Sequence, residues 1–340
     1  MTDPQRKEPI SLGPGSSALV TGAAGFIGSH LVERLVRDGL RVRAFVHYNS
    51  ASNWNNLHLL DSEVYDQLEI IPGEITDPYV VNRAVSGCDV VFHLASLISI
   101  PYSYTAPSSF VQTNVIGSLN VFQACLSHEV SRVVHTSTSE VYGSALYTPM
   151  DEKHPLQAQS PYSASKIGAD KQAEGHNSSF GLPVATIRPF NTYGPRQSAR
   201  AVIPTILSQL LSGASSIHLG SLEPVRDFLF VDDTVEAFVA VAQSDQCVGR
   251  VTHVGTGRGV TIGEVAKLAM EVTGRSATII EDPARVRPAE SEVKALLCDP
   301  SVARNRCGWQ PRITLEAGLR AVARFIDEHP GRYRPAEYAV

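Results

Sequence analysis

Residues 18–28 read Ala-Leu-Val-Thr-Gly-Ala-Ala-Gly-Phe-Ile-Gly, and this stretch decides how the rest of the chain is read. Ala18-Leu19-Val20 is a short apolar run of the kind that forms a buried strand. It breaks into a turn carrying Gly22, Gly25 and Gly28, and Leu31, Leu35 and Val36 then recur at helical spacing. Strand, glycine turn and helix in this order open a βαβ unit of the dinucleotide-binding kind. Glycines there let the backbone turn tightly, approach a pyrophosphate closely, and pack helix on strand.

Downstream, the same alternation continues. Arg41 to Val46 alternates as a strand, with His47, Asn49 and Ser50 at its end. An acidic residue near that point commonly grips the ribose hydroxyls of NAD; here His47 stands in its place, so the choice between NAD and NADP rests on no carboxylate, and NAD is the expected cofactor with NADP left open. Leu68 to Ile71 reads as a third strand and Pro78 to Val85 as a helix. The run Asp89-Val-Val-Phe-His-Leu-Ala95 suits a parallel strand buried on both faces. Phe110 to Leu126 has helical periodicity, and Val130 to Ser137 is the next strand. The expected fold class is therefore α/β, a Rossmann-type doubly wound parallel sheet. Past Pro189 the texture changes to irregular stretches, Asn191 to Arg200 and Gly220 to Asp227, with short helices at Ile203 to Ser212, Thr234 to Ala242 and Ile262 to Val272. The expected organisation is a loose leader (1–15), a dinucleotide-binding domain (16–188), a smaller C-terminal α/β substrate-binding region interwoven with the sheet (189–330) and a poorly ordered tail (331–340).

Composition narrows the function classes. The chain has 340 residues, 43% hydrophobic and 19% charged, with a formal net charge of −5, which provides no global field for nucleic acid. No apolar run approaches the roughly 18 residues of a membrane span. The polar, proline-containing N-terminus lacks a signal-peptide core, so a cytoplasmic location is expected. The five cysteines are scattered without C-x-x-C spacing and read as reduced thiols, and the eleven histidines have no metal-site spacing. His93 and His135 sit in apolar strand contexts and are expected to be core histidines.

Tyr162-Ser-Ala-Ser-Lys166 carries the chemistry. Positions i and i+4 of a helix share a face, so phenol and ammonium project into one site, where the ammonium is expected to lower the phenol's pKa toward that of a general base. Thr138, at the preceding strand end, is placed to hydrogen-bond a hydroxyl being oxidised.

From TGAAGFIG through HLA, STSEVYG, YSASK, RPFNTYGPRQ, RDF and NRCGWQP the chain resembles the extended short-chain dehydrogenases that modify nucleotide sugars. The resemblance implies that Tyr162 removes a proton from a sugar hydroxyl while hydride leaves C4 for bound NAD, with Thr138 and Lys166 completing the catalytic set. It implies a cofactor site at Gly22, Gly25, Phe26, Ile27, Gly28, His47, Asn49, Ser50, Glu74, Ile75, Leu94, Ala95 and Asn114. Ser139, Asn191, Arg200, Ile203, Arg226 and Arg287 are the implied substrate contacts, the arginines suiting a diphosphate or carboxylate. A homodimer is implied, through helices at Val111 to Leu126 and Ser163 to His176, while Val115, Leu119 and Phe122 could equally be internal core. The branch is open. Glu140 lies where dehydratases place a C5 base, but the neighbouring position that carries an aspartic acid in Thr-Asp-Glu dehydratases is Ser139. Arg200 lies where uronate epimerases read a C6 carboxylate. These features rank a UDP-hexuronate or UDP-hexose 4-epimerase first, an N-acetylhexosamine 4,6-dehydratase second and a UDP-glucuronate decarboxylase third.

Overall fold

The apolar run at Val90 becomes the middle of a seven-stranded sheet. A computed structural model of the chain describes Ile10 and residues 12–286 and 291–335. The sheet takes strands β1 (Ser17–Thr21), β2 (Arg41–His47), β3 (Glu69–Gly73), β4 (Val90–His93), β5 (Arg132–Thr136) and β6 (Val184–Pro189) from the first half of the chain. Asn191–Tyr193 (β7), Ser216–Leu219 (β8), Val225–Phe230 (β9), Val251–Val254 (β10), Gly259–Thr261 (β11), Thr278–Glu281 (β12) and Ala295–Leu296 (β13) follow. The large sheet runs β3-β2-β1-β4-β5-β6-β10, every pair parallel. The order reverses between β1 and β4, and the carboxyl ends of those strands open a crevice where ligands of such sheets bind.

Two apolar layers sandwich this sheet. One gathers Leu31, Leu35, Val90, Phe92 and Phe238; the other gathers Leu19, Val91, Phe122, Val133 and Val184. Phe122 is fully buried, whereas Val115 and Leu119 are half-buried. A third core, around Ile206, Leu210, Phe230, Val265 and Val322, belongs to the second half of the chain. There β9 pairs with β7, β11 and β13, and β12 pairs with β8. The stretches expected to be irregular at Asn191 and Gly220 thus contain two strands, because β7 and β9 pair with each other (Asn191 opposite Phe228), a long-range contact that local texture does not show.

Both chain ends are more engaged than a leader and a tail imply. Leu12 packs on the main core, and the Gly15 amide donates to the Gly39 carbonyl at 3.1 Å. Tyr333 is buried, its hydroxyl donating to the Gln197 carbonyl at 3.0 Å, and Arg332 hydrogen-bonds Asn56. The tail expectation is corrected to this extent: an aromatic anchor pins residue 333 to the C-terminal core. Residues 1–9, 11 and 336–340 lie outside the described residues, as does Arg287.

Capping places the helix that matters most. Ser160 accepts from the Ser163 amide, Ser163 returns the bond to the Ser160 amide, and Pro161 occupies the first turn. The helix therefore starts at Pro161, puts Tyr162 in its first turn and runs to Phe180, where Gly181 closes it in a left-handed conformation (φ 70°).

Candidate active site

The glycine turn leaves an open cradle at the crevice. Gly22 has φ 71°, and a Cβ there would lie 2.9 Å from the Ala95 amide nitrogen. A Cβ on Gly28 would lie 2.2 Å from the Gly22 carbonyl oxygen. Backbone thus approaches backbone at both points, as only glycine permits. The helix Phe26–Arg37 begins at Gly25 with no side-chain cap, so no side chain of its own claims the first-turn amides, and such a terminus favours an anion. Thr21, last residue of β1, accepts from the Leu94 and Ala95 amides at 3.1 Å each, which fixes the loop after β4 over the turn.

At the far end of the crevice His47 and Glu74 face each other, Nδ1 to Oε1 2.9 Å, both well exposed. A carboxylate from just beyond β3 thus stands beside the end of β2. Asn49 closes its own loop, accepting from the Asn53 amide at 3.0 Å, and Ser50 is exposed. Ile75 is buried against Gly117, where a Cβ would come within 2.7 Å of it.

Asn114 sits in a π-helical turn, Val111–Ile116, which precedes the helix Gly117–Ser127. Such turns frequently mark functional sites. Its side chain accepts from the Leu97 amide (2.8 Å) and Ser96 hydroxyl (2.9 Å) and donates to the Leu97 carbonyl (3.0 Å) and Ser165 (2.9 Å). Asn114 therefore ties the loop bearing Leu94 and Ala95 to the helix bearing Tyr162 and Lys166.

Tyr162, Thr138, Glu140 and Lys166 come together. Tyr162 is buried between Ile100 and Phe110 and hydrogen-bonded to Thr138, whose hydroxyl also caps the 3₁₀ turn Ser139–Tyr142 by accepting from the Glu140 amide at 3.2 Å. Ser139 is buried and Glu140 half-buried in that turn. The Lys166 ammonium donates to the Thr136 carbonyl at 2.7 Å. Here the sequence reading needs correction. Burial pushes the Tyr162 phenol up, the charges of Glu140 and Asp170 add to that, and only the Thr138 hydrogen bond opposes it. Lys166 is itself fully enclosed and its pKa is pushed down to about 8 by burial. The ammonium does not activate the phenol in this state because desolvation dominates both groups.

Beneath this pair lies a buried polar cluster that sequence reasoning missed. Asp170 accepts from Arg188 Nη2 (2.6 Å) and the Ser137 hydroxyl (2.6 Å), and its Oδ1 lies 2.9 Å from His135 Nε2. Arg188 also donates to Ser137 (3.0 Å) and to Tyr142, whose hydroxyl lies 2.5 Å from His253 Nε2. His135 and His93, both buried as expected, stack with ring centroids 5.8 Å apart, and burial lowers both pKa values. A charge four residues beyond Lys166 was the one available signal; its partners come from β6 and from β5 and its end.

The expected substrate residues divide. Asn191 and Arg226 are brought close by the β7–β9 pairing, and Asn191 Oδ1 is buried without a protein partner. Arg226 donates to the Val225 carbonyl (3.0 Å) and to Glu292 (3.4 Å). Arg200 is exposed, with its Nε donating to Ser198 at 3.3 Å. Ile203 is buried within the C-terminal core. Asp227, next to Arg226, accepts from the Thr256 amide (2.8 Å) and hydroxyl (2.6 Å), the Gly257 amide (2.8 Å) and the Cys298 amide (3.2 Å). Asp227→Ala orphans these donors in a buried place. It is expected to lower unfolding free energy in urea by about 3 kcal/mol or more; a loss within about 0.5 kcal/mol would show that these hydrogen bonds do not hold the segment.

Among the described residues no helix is long and apolar enough to cross a membrane, and no group of three His, Cys, Asp or Glu side chains could hold a metal.

With this geometry in hand, comparison places the chain among known proteins. The family model described as GDP-mannose 4,6 dehydratase matches residues 19–322. A dTDP-glucose 4,6-dehydratase of Streptomyces griseus is 34% identical over 93% of this chain and 96% of its own length. A UDP-glucose 4-epimerase of Mycolicibacterium smegmatis is 33% identical over 91% and 97%. Among solved structures, UDP-glucuronic acid 4-epimerase from Bacillus cereus, in complex with UDP-glucuronic acid and NAD, superposes with a TM-score of 0.83 at 26% identity, over 92% of this chain and 99% of that one.

Proposed function

Since the chain belongs to the GDP-mannose 4,6-dehydratase family, and is thus an extended short-chain dehydrogenase of the nucleotide-sugar epimerase and dehydratase kind, we propose that it is an NAD-dependent nucleotide-sugar 4-epimerase working through a transient 4-keto sugar, with UDP-glucuronate to UDP-galacturonate the first conversion to test. The observation that carries this reading is the carboxylate count around Tyr162. Two carboxylates act on the phenol, Glu140 and Asp170, and Asp170 is bound in its ion pair with Arg188. Among the described residues, Glu140 is the one of these two carboxylates left for substrate, with Ser139 where a dehydratase of the Thr-Asp-Glu kind would carry an acid. Dehydration across C5 and C6 asks for a base and an acid; epimerisation at C4 needs neither beyond Tyr162.

The cradle fits NAD. Uncapped helix amides and glycines 22, 25 and 28 suit its pyrophosphate, and Glu74, beside His47, suits free ribose hydroxyls better than a 2′-phosphate. Bound in oxidised form, NAD supplies a hydride acceptor and a positive charge beside the phenol. Tyr162 then takes the C4 hydroxyl proton as hydride leaves C4, Thr138 orients that hydroxyl, and Lys166 holds the cofactor's ribose. The 4-keto sugar would turn its other face, hydride would return to C4, and Tyr162 would return the proton to the oxygen. Asn191 and Arg226 hold the diphosphate, and Arg200 reads a C6 carboxylate.

A second reading is supported by Glu140 itself, which is half-buried beside Tyr162 and placed to remove a C5 proton from a UDP- or GDP-N-acetylhexosamine in a 4,6-dehydratase; UDP-glucuronate decarboxylation stands third. The test incubates the protein with UDP-glucuronate, UDP-glucose, UDP-N-acetylglucosamine and GDP-N-acetylglucosamine, with products followed by mass spectrometry and proton NMR. Unchanged mass with an inverted C4 is the expected result. Loss of one water would sink the epimerase reading. Glu140→Gln is expected to retain 4-epimerase turnover within about tenfold, whereas a dehydratase would fall by orders of magnitude.

A further inference from the structure

Lys166 and Arg188 are two buried cations, and the Asp170 carboxylate joins the elements that carry them. Lys166 and Asp170 are one turn apart on the helix Pro161–Phe180, a spacing that puts both on the same face. Arg188 reaches Asp170 from β6, 2.6 Å away, while Ser137 and His135 close on the same carboxylate from the end of β5. We infer that Asp170 is a positioning residue for the reaction: its carboxylate, clamped by Arg188, Ser137 and His135, keeps Lys166 charged and aimed at the Thr136 carbonyl beside Tyr162.

The surroundings leave few other candidates. From β4 comes His93, from β5 His135, from β10 His253; burial lowers the pKa of all three and so disfavours their charged forms. The 3₁₀ turn contributes Tyr142, raised by burial, and the ionisable Glu140; the helix itself contributes Tyr162. Arg188 repels Lys166 and Asp170 attracts it. Without Asp170, two buried cations would face each other. The cheapest relief is loss of the lysine proton, since a guanidinium stays protonated.

Asp170 works at a distance from substrate. Its three partners also hold β5, β6 and the helix together, so a purely structural role would make removing the carboxylate loosen the site. What separates a charge role from a scaffolding role is the direction of a pH shift. Lys166 in the folded protein already titrates near 8, against 10.5 for a free lysine. Between those values the unfolded chain binds the extra proton, so this group makes stability rise with pH across that window. Asp170→Asn lowers the bottom of the window.

The inference rests on the Tyr162–Lys166 reading, and two measurements keep the two separable. The first is the pH dependence of kcat for whichever of the four nucleotide sugars turns over, beginning with UDP-glucuronate. In Asp170→Asn the alkaline limb is expected about one pH unit lower than in the parent. The double variant Asp170→Asn/Arg188→Gln removes the ion pair as a whole, so that no guanidinium is left without its carboxylate, and serves if the single variant does not fold; its limb is expected between the two, because Asp170 acts on Lys166 more strongly than Arg188 does. The second needs no substrate: urea unfolding of the ligand-free protein from pH 6.5 to 10.5, with and without Lys166→Met, in both the parent and the Asp170→Asn or double background. The lysine-dependent rise in stability is expected to begin at lower pH once the carboxylate is gone. A uniform loss of activity with both pH dependences unmoved would overturn the inference and leave Asp170 a scaffold. Inactivity toward all four sugars would instead count against the proposed function, while the unfolding series still decides the role of Asp170.

Discussion

Tyr162→Phe is expected to reduce turnover of the accepted nucleotide sugar by about a thousandfold without releasing NAD. The substitution removes one oxygen and nothing else. Phenylalanine keeps the ring between Ile100 and Phe110, whose ring meets that of Tyr162 edge to face at 6.2 Å. It also relieves the burial of a hydroxyl whose ionisation is already disfavoured. Folding should therefore be unchanged, and the loss should fall on kcat, since proton removal from the C4 hydroxyl has no other acceptor aligned with Thr138. The measurement is single-turnover and steady-state kinetics beside the NAD content of the purified variant. Activity within tenfold of the parent would show that another group takes the proton. Loss of NAD together with activity would move Tyr162 from chemistry to binding.

The second large effect comes from a methyl group. In Gly28→Ala the new Cβ lies 2.2 Å from the Gly22 carbonyl oxygen and 3.0 Å from the Ala23 Cα. These neighbours are backbone, and they cannot move away without disturbing the Gly22 approach to Ala95 on which the crevice floor depends. Overpacking of this kind costs about 1–3 kcal/mol, and the displaced turn spoils the amide cradle at the same time. A fall in NAD affinity of tenfold or more is expected by titration calorimetry, with a lowered thermal midpoint. Gly175→Ala is the matched control: it lies in the helix Pro161–Phe180 with nothing within 4 Å of a new Cβ. That change is expected to be neutral or to stabilise by about 0.5–1 kcal/mol. Equal losses in the two variants would mean that the close approach at Gly28 has no special cost.

What was readable in the chain divides along the range of the interactions involved. The glycine turn, the doubly buried run at Val90 and the Tyr162–Lys166 pair are local patterns, and each stands in the structure where its spacing places it. The doubly wound parallel sheet also followed, because alternating strands and helices leave few ways to cover a parallel sheet. The phenol's electrostatics did not follow. The i, i+4 spacing reports that Lys166 shares a face with Tyr162 but not that both are sealed from water, and enclosure reverses the sign of the shift. The cluster of Asp170, Arg188, Tyr142 and His253 was equally hidden, since its members come from a helix, two strands and a turn more than a hundred residues apart at the extremes. Texture misled at Asn191 and Arg226: proline and glycine nearby suggested irregular chain, while the partner strand that makes each one regular lies some 35 residues away. Likewise nothing in a polar C-terminus announces that Tyr333 will find a buried slot.

The seventh strand of the large sheet bears on how the molecule is made. β10 docks on β6 only after the ribosome has passed Val254, and by then six strands, the glycine turn and the helix bearing Tyr162 have already emerged. Through that interval the nascent sheet presents the bare rim of β6, apolar and hydrogen-bond hungry, to every other growing chain in the polysome. Slow synonymous codons across residues 190 to 254 are therefore expected to lower soluble yield while leaving each finished molecule unaltered, and equal yields from fast and slow codon sets would show that the open β6 edge carries no such cost.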